Sequence, residues 1–217
     1  MDRIISLLDQ WKVQDEFSAE KESISLKIIE ETELMLQSGN ISGSDRSTWL
    51  EFLNRTKKPL FLNSLCSLGL RDRWMEVVFK LLQLTNFTLR DMMIQRVAEH
   101  PDRVLFRDMS AQVPVEWSYE QVYRHIREIA AVIYHTGSGN PRVALFCDNC
   151  VEGACADLAC LCFDIFVTPL SIHFNHDILL HIFTTLQISV AITDSKERLE
   201  LLQKVRQNSS MNFTISP

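Results

Sequence analysis

The feature that most constrains this chain is a change of hydrophobic period near Thr88. Before it, apolar residues recur only at helical spacing. Trp74, Val77, Val78, Leu81 and Leu82 follow the i, i+3, i+4, i+7, i+8 rule, and Ile4, Ile5, Leu7, Leu8 and Trp11 nearly do, which marks helices with one buried face. Breakers divide them: SGNISGSD at 38–45, KKP at 57–59, and Gly69 followed by Arg71-Asp72-Arg73. These predict four or five helices, with corners near 40–46, 56–59 and 69–72.

After Thr88, strand-period runs alternate with helix-period runs. Thr88 is an N-cap for a helix to about Glu99, with Asp91 in its first turn and Pro101 closing it. Two strands joined by a turn follow, VLFRDM (104–109) and VPVEW (113–117). Ser118 and Gln121 then form a capping box, with Trp117 and Val122 placed as the hydrophobic staple. The helix they start buries Val122, Ile126, Ile129, Ala130 and Ile133 and stops at Gly137. Next come a strand at 142–147, a helix at 151–163, a strand at 165–170, a helix at 176–186, a strand at 189–194, a helix at 196–206 and a strand at 212–215. Such alternation implies crossover connections and parallel strands, apolar on both faces because helices cover each side. The fold class is therefore α/β: a parallel-rich layered sheet flanked by helices, preceded by an all-helical amino-terminal extension. The domain expectation is 1–86 for the extension and 87–217 for the α/β part.

Charge excludes one class of partner. Residues 1–40 hold nine acids against four bases, and the whole chain carries −6, so it lacks the basic footprint a nucleic-acid partner requires. No window has the 18 or so apolar residues of a spanning helix, and MDRIISLLDQW is too interrupted for a secretory signal. The localisation read from this is cytoplasmic, with no membrane span. Six cysteines occur, five of them within 147–162; in a chain with no secretory signal they read as reduced, buried thiols.

Two clusters carry possible chemistry. HFNHDILLH places His173, His176 and His181 with Asp177 in nine residues. Asn175 is the N-cap of the helix there, whose apolar face is Ile178, Leu179, Ile182, Phe183 and Leu186. His176 and His181 then lie about 140° apart, whereas metal ligands on one face need a spacing of three or four. Solvated loop and helix-edge histidines are the expectation. Cys147 and Cys150 have the Cys-x-x-Cys spacing of a redox pair or half a zinc site, but no second pair follows at ribbon spacing. The metal expectation is none.

The order of segments resembles a known family. EHPDRVLFRD (99–108), WSYEQVYRHIREIAAVIYHTG (117–137), RVALFCDNCVEGACADLACLCFDIFVTPLS (142–171) and ILLHIFTTLQISVAITD (178–194) are similar to the opening of the AMP-binding, adenylate-forming superfamily. That family includes acyl-CoA synthetases, adenylation domains of peptide synthetases and luciferases. The resemblance covers about 88–215. Asp164 stands where the family phrase has Gly, which is expected to alter the backbone at that turn; Cys162 replaces the usual Lys. The resemblance implies a full-length ATP-dependent acid–thiol ligase: carboxylate and MgATP give an acyl-adenylate, which passes to CoA or a carrier-protein pantetheine. The family grips the ATP phosphates with a Ser/Thr-Gly loop ending in Pro-Lys. The six glycines here, at 39, 43, 69, 137, 139 and 153, form no such loop. The chain is therefore expected to be an amino-terminal fragment, inactive by itself, without ATP or Mg of its own and partnered by the rest of its polypeptide. No catalytic residue is assigned, and cofactor-binding residues remain unknown. The alternative is a non-catalytic interaction or scaffold module, with residues 1–86 as a possible route to a homo-oligomer.

Overall fold

The computed structural model describes residues 2–15, 18–38, 46–56, 59–65, 68–109, 113–137, 139–209 and 212–216. The chain divides into two compact units, Met1–Phe87 and Thr88–Pro217.

The first unit is helical: α1 (Asp2–Lys12), α2 (Ala19–Gln37), α3 (Arg46–Thr56), α4 (Pro59–Asn63) and α5 (Leu68–Leu84). Each long helix turns an apolar stripe inward, and the stripes meet in an aromatic cluster. Phe61 lies 5.3 Å from Trp11 and 5.0 Å from Trp74, ring centre to ring centre, and Phe52 bridges Trp74 to Trp49. Burying Trp11 brings an N–H inside that needs a partner. It donates to Ser25 Oγ at 2.9 Å, and the Ser25 and Ser64 hydroxyls bond each other at 2.7 Å. Lys21 Nζ sits 4.4 Å over the same indole and donates to the Gln14 carbonyl.

The corner predicted at 69–72 is absent: α5 runs straight through it. Gly69 lies in the first turn of that helix, where a side chain would meet nothing. In that position a glycine costs propensity without breaking the ladder, and the charged residues after it occupy the helix surface. The corner expected near 40–46 falls largely outside the described residues. The one at 56–59 does so in part, since α3 ends at Thr56 and α4 begins at Pro59.

The second unit begins with α6 (Leu89–Glu99), opened by a Thr88–Asp91 capping box. Then β1 (Val104–Asp108) pairs antiparallel with β2 (Val115–Ser118); the expected turn between them includes residues outside the described set. The Ser118–Gln121 box starts α7 (Tyr119–Thr136), which buries Val122, Ile126, Ala130 and Ile133 and leaves Ile129 half-buried. The alternation continues through β3 (Arg142–Phe146), α8 (Val151–Cys162), β4 (Phe166–Pro169), α9 (His176–Leu186), β5 (Val190–Thr193), α10 (Lys196–Asn208) and β6 (Thr214–Ser216). The four later strands form one parallel sheet in the order β4-β3-β5-β6.

Alternation along β3 and β5 shows how the layers are built. Val143, Leu145 and Val190 pack with α7 and α8, while Ala144, Phe146 and Ala191 pack with Leu179, Phe183, Leu202 and Val205 of α9 and α10. These two strands are apolar on both faces, as expected for central parallel strands. β4 is not: Phe166 is exposed, because β4 is an edge strand, and Arg142 covers that ring at 3.9 Å. Pro169 is tolerated there for the same reason. The predicted apolar face of α9 also narrows. Leu179 and Phe183 are buried, but Ile178 is 43% exposed, since it sits about 100° around the helix from Leu179. Among the described residues no helix is long and apolar enough to cross a membrane.

Asp164 does not alter its turn; it adopts the left-handed conformation itself, with φ 56°. The Ile165 N–H then reaches back to the Cys160 carbonyl at 2.9 Å and Ile165 is buried, which is the Schellman closure that normally employs glycine. Asn86 and Gln187 end α5 and α9 in the same way, at φ 46° and 51°. An L-residue in this region costs about 1–2 kcal/mol, and an acid at a helix carboxyl end adds repulsion from the dipole. Asp164→Gly is therefore expected to stabilise the second unit by about 1 kcal/mol, read as a higher denaturant midpoint with an unchanged slope. A lower midpoint would show that the aspartate side chain is required.

Candidate functional site

In a parallel sheet the connections place loops at the carboxyl ends of the strands, and a crevice opens where consecutive connections leave in opposite directions. Here that point lies between β3 and β5. From β3 the chain goes through α8 to β4 on one side, then through α9 back past β3 to β5 on the other. The loops that flank the switch are 147–150 after β3 and 194–195 after β5.

A charged cluster ties these loops together. The backbone N–H of Asp148 donates to Asp194 Oδ2 at 2.7 Å. Arg198, in the first turn of α10, donates from Nη2 to Asp148 Oδ2 at 2.7 Å and from Nη1 to Asp194 Oδ1. Ser195 caps α10 by accepting from the Arg198 N–H, and the Thr193 hydroxyl donates to the Phe146 carbonyl at 3.0 Å, joining the two strand ends below. Burial alone would raise the Asp194 carboxyl, but the Asp148 amide and the Arg198 guanidinium overcome it and hold the group below its ordinary value. The Arg198 guanidinium is raised, chiefly by its hydrogen bond to Asp148.

Two cavities open beside this cluster. One, of about 670 Å³, lies between the β1 strand and the loop after β3, with Phe106, Met109, Asn149, Asp157 and Pro169 in its walls. The other, of about 690 Å³, is more apolar, with Ile129, Ile133, Ala156 and Ile192 facing Asp194 and His125. Cys147, Cys150 and Gly153 border both. At Gly153 a side chain would have to displace a cysteine. A Cβ at that position would stand 2.8 Å from Cys147 Sγ and 3.3 Å from Cys150 Sγ.

The histidine cluster does not converge. His173 is exposed in the turn before α9, and His181 is exposed on its surface. His176 contacts Asp177 Oδ1 and Asn208 Nδ2, each at 3.0 Å. Among the described residues no three His, Cys, Asp or Glu side chains are grouped to hold a metal. Cys66 lies outside the described residues, and the five described cysteines divide. Cys155, Cys160 and Cys162 are buried, but Cys147 and Cys150 are only half-buried, contrary to the expectation of uniformly buried thiols. Burial raises Cys155 to about 11 and Cys160 to about 12, with the charges of Glu152 and Asp157 adding to it. Cys147 is likewise raised to about 11, by burial first and then by the neighbouring Cys150. Residue-by-residue reading missed Asp148, Asp194 and Arg198. The only local signal was the i, i+4 spacing of Asp194 and Arg198 at a strand end.

The model of the AMP-binding enzyme family matches residues 94–215, and the chain belongs to that family. Solved structures agree on the fold. The N-terminal domain of FACL13 from Mycobacterium tuberculosis aligns with a TM-score of 0.52 at 17% identity, over 59% of this chain and 33% of that one. A benzoate CoA ligase from Burkholderia xenovorans gives 0.52 at 12% identity, over 60% and 26%. The anthranilate CoA ligase AuaEII, solved with anthranoyl-AMP, gives 0.52 at 13%, over 59% and 24%. The chain thus spans a third or less of the length of these three solved chains. No curated protein matches it.

The switch-point cluster makes a direct prediction. Asp194→Asn keeps the size of the side chain and removes its charge, so it is expected to cost about 1–3 kcal/mol at neutral pH. The folded-state Asp194 is depressed, so its contribution is present above the unfolded value near 4 and is lost as pH falls through the lower folded value. Denaturation curves of the two proteins should therefore converge as pH falls through that lower value; a gap that does not shrink on acidification would assign the loss to shape.

Proposed function

We propose that these residues form the opening part of an enzyme that activates a carboxylic acid with MgATP, releases pyrophosphate, and passes the acyl group from the adenylate to a thiol of CoA or a carrier-protein pantetheine. The observation that carries the proposal is the coincidence of the AMP-binding family match at 94–215 with a parallel sheet built over those residues. The solved chains of like fold include CoA ligases, one of them bound to an acyl-adenylate. In this reading ATP and Mg belong to the longer enzyme. The phosphate-gripping loop and the catalytic lysine are assigned to sequence outside these residues, since the six glycines present make no Ser/Thr-Gly loop. The role left for this part is to hold the carboxyl-end crevice in shape, with Asp148, Asp194 and Arg198 fixing its two loops.

Two measurements test the proposal. A polypeptide carrying these residues followed by the downstream sequence should catalyse carboxylate-dependent exchange of pyrophosphate into ATP. The 217 residues alone should give no exchange and no micromolar MgATP binding by calorimetry. Micromolar binding by the 217 residues, or no exchange with aliphatic and aromatic acids alike, would remove the proposal's support.

We propose a separate role for residues 1–86, as a surface on which a second copy docks. On α5, Met75 and Phe79 lie one turn apart and are 60% and 62% exposed, an adjacent apolar pair on the helix surface. Sedimentation of the chain with and without residues 1–86 should show self-association only when they are present; equal sizes per chain would end this role.

A further inference from the structure

We propose that Cys147 and Cys150 are a redox-modifiable pair that closes reversibly into an intramolecular disulfide at the carboxyl end of β3. Cys147 follows the last residue of that strand, and Cys150 is the N-cap of α8. Their sulfurs crowd one point above the first helical turn, the place where a Cβ on residue 153 would stand 2.8 and 3.3 Å from them. Glycine at 153 is what allows both to occupy that space. The pair also has the Cys-x-x-Cys spacing at a helix start that dithiol chemistry uses.

Access separates this pair from its neighbours. Both residues are half-buried and border the two cavities, whereas Cys155, Cys160 and Cys162 are buried. The Gly153 N–H donates to Cys150 Sγ at 3.3 Å, so a donor is already aimed at the sulfur that begins the exchange. Burial pushes the Cys147 thiol up to about 11, which disfavours it as the first sulfur to attack.

The reaction is thiol–disulfide exchange with a small disulfide such as oxidised glutathione. The Cys150 sulfur, losing its proton, attacks one glutathione sulfur; the old S–S bond breaks and one glutathione leaves. Cys147 then attacks the Cys150 sulfur, gives its proton to solvent and expels the second glutathione. Two protein thiols are oxidised by two electrons, and one glutathione disulfide is reduced to two thiols. The bridge spans Asp148, whose amide holds Asp194, so it forms within the loop that borders the crevice.

The test is intact-mass and peptide mapping of the folded chain equilibrated with glutathione redox buffers. The expected product is two hydrogens lighter, with Cys147 and Cys150 bridged, and reverts on reduction. Cys147→Ser should stop at one glutathione on Cys150, and Cys150→Ser should give no bridge. Phenylarsine oxide, which needs two adjacent thiols, should shield the pair from iodoacetamide in the native protein, and either variant should abolish that shielding. Unchanged circular dichroism shows that the variants fold. The proposal is overturned if both thiols stay alkylatable across the buffer series, if each takes its own glutathione, or if the bridge maps to another cysteine.

Discussion

The structure of the second unit depends on one constraint: β3 must be paired along both edges and covered on both faces. Its register with β4 runs from Arg142–Phe166 to Leu145–Pro169, and with β5 from Val143–Val190 to Phe146–Thr193. A strand in that position leaves no backbone polar group to water, so every flanking element is placed by the need to satisfy it. Val143 and Leu145 require an apolar layer on one side, and Ala144 and Phe146 require one on the other. The helices α7 to α10 supply those layers, which forces crossover connections and creates the crevice where their direction reverses. The charged cluster follows from the same geometry. Two loops that end adjacent parallel strands are brought side by side, and Asp148, Asp194 and Arg198 convert that proximity into a fixed arrangement.

The first unit solves the same problem by different means. With no sheet to organise it, its specificity comes from large rings and from buried polar groups, the Trp11 indole N–H among them. A buried indole N–H has a single good direction, and Ser25, Ser64 and the Phe61 carbonyl form a chain of acceptors that receives it. Apolar stripes alone would permit several helix arrangements of similar energy. The Trp11 bond singles out one in which α1, α2 and the turn after α4 meet.

Local signals carried most of the fold. The Ser118 box, the Thr88 cap, the period-2 runs and the stop at Gly137 are contained within a few residues, so they are legible without knowledge of the partner. Gly69 misled because a breaker acts only where its neighbours leave the backbone free, and at the start of α5 they do not. Ile178 misled because helical periodicity gives the direction of a buried face but not its width, which the neighbouring layer sets. The site was less legible still. Asp148 lies 46 residues from Asp194 and 50 from Arg198, and no short-range pattern records a pairing over that distance. The segment order, by contrast, pointed to the family because it reflects the whole succession of elements rather than any single contact.

The strand order has a consequence for how the chain emerges from the ribosome. In the sequence β4-β3-β5-β6 each strand made after β3 finds its neighbour already synthesised: β4 joins β3, β5 joins the opposite side of β3, and β6 joins β5. Only β3 has to wait for partners still to be translated, so the sheet can grow outward from that first member as the nascent chain lengthens. The apolar faces of β3 are then the earliest to need shelter, and α7, translated immediately before it, is at hand to provide it.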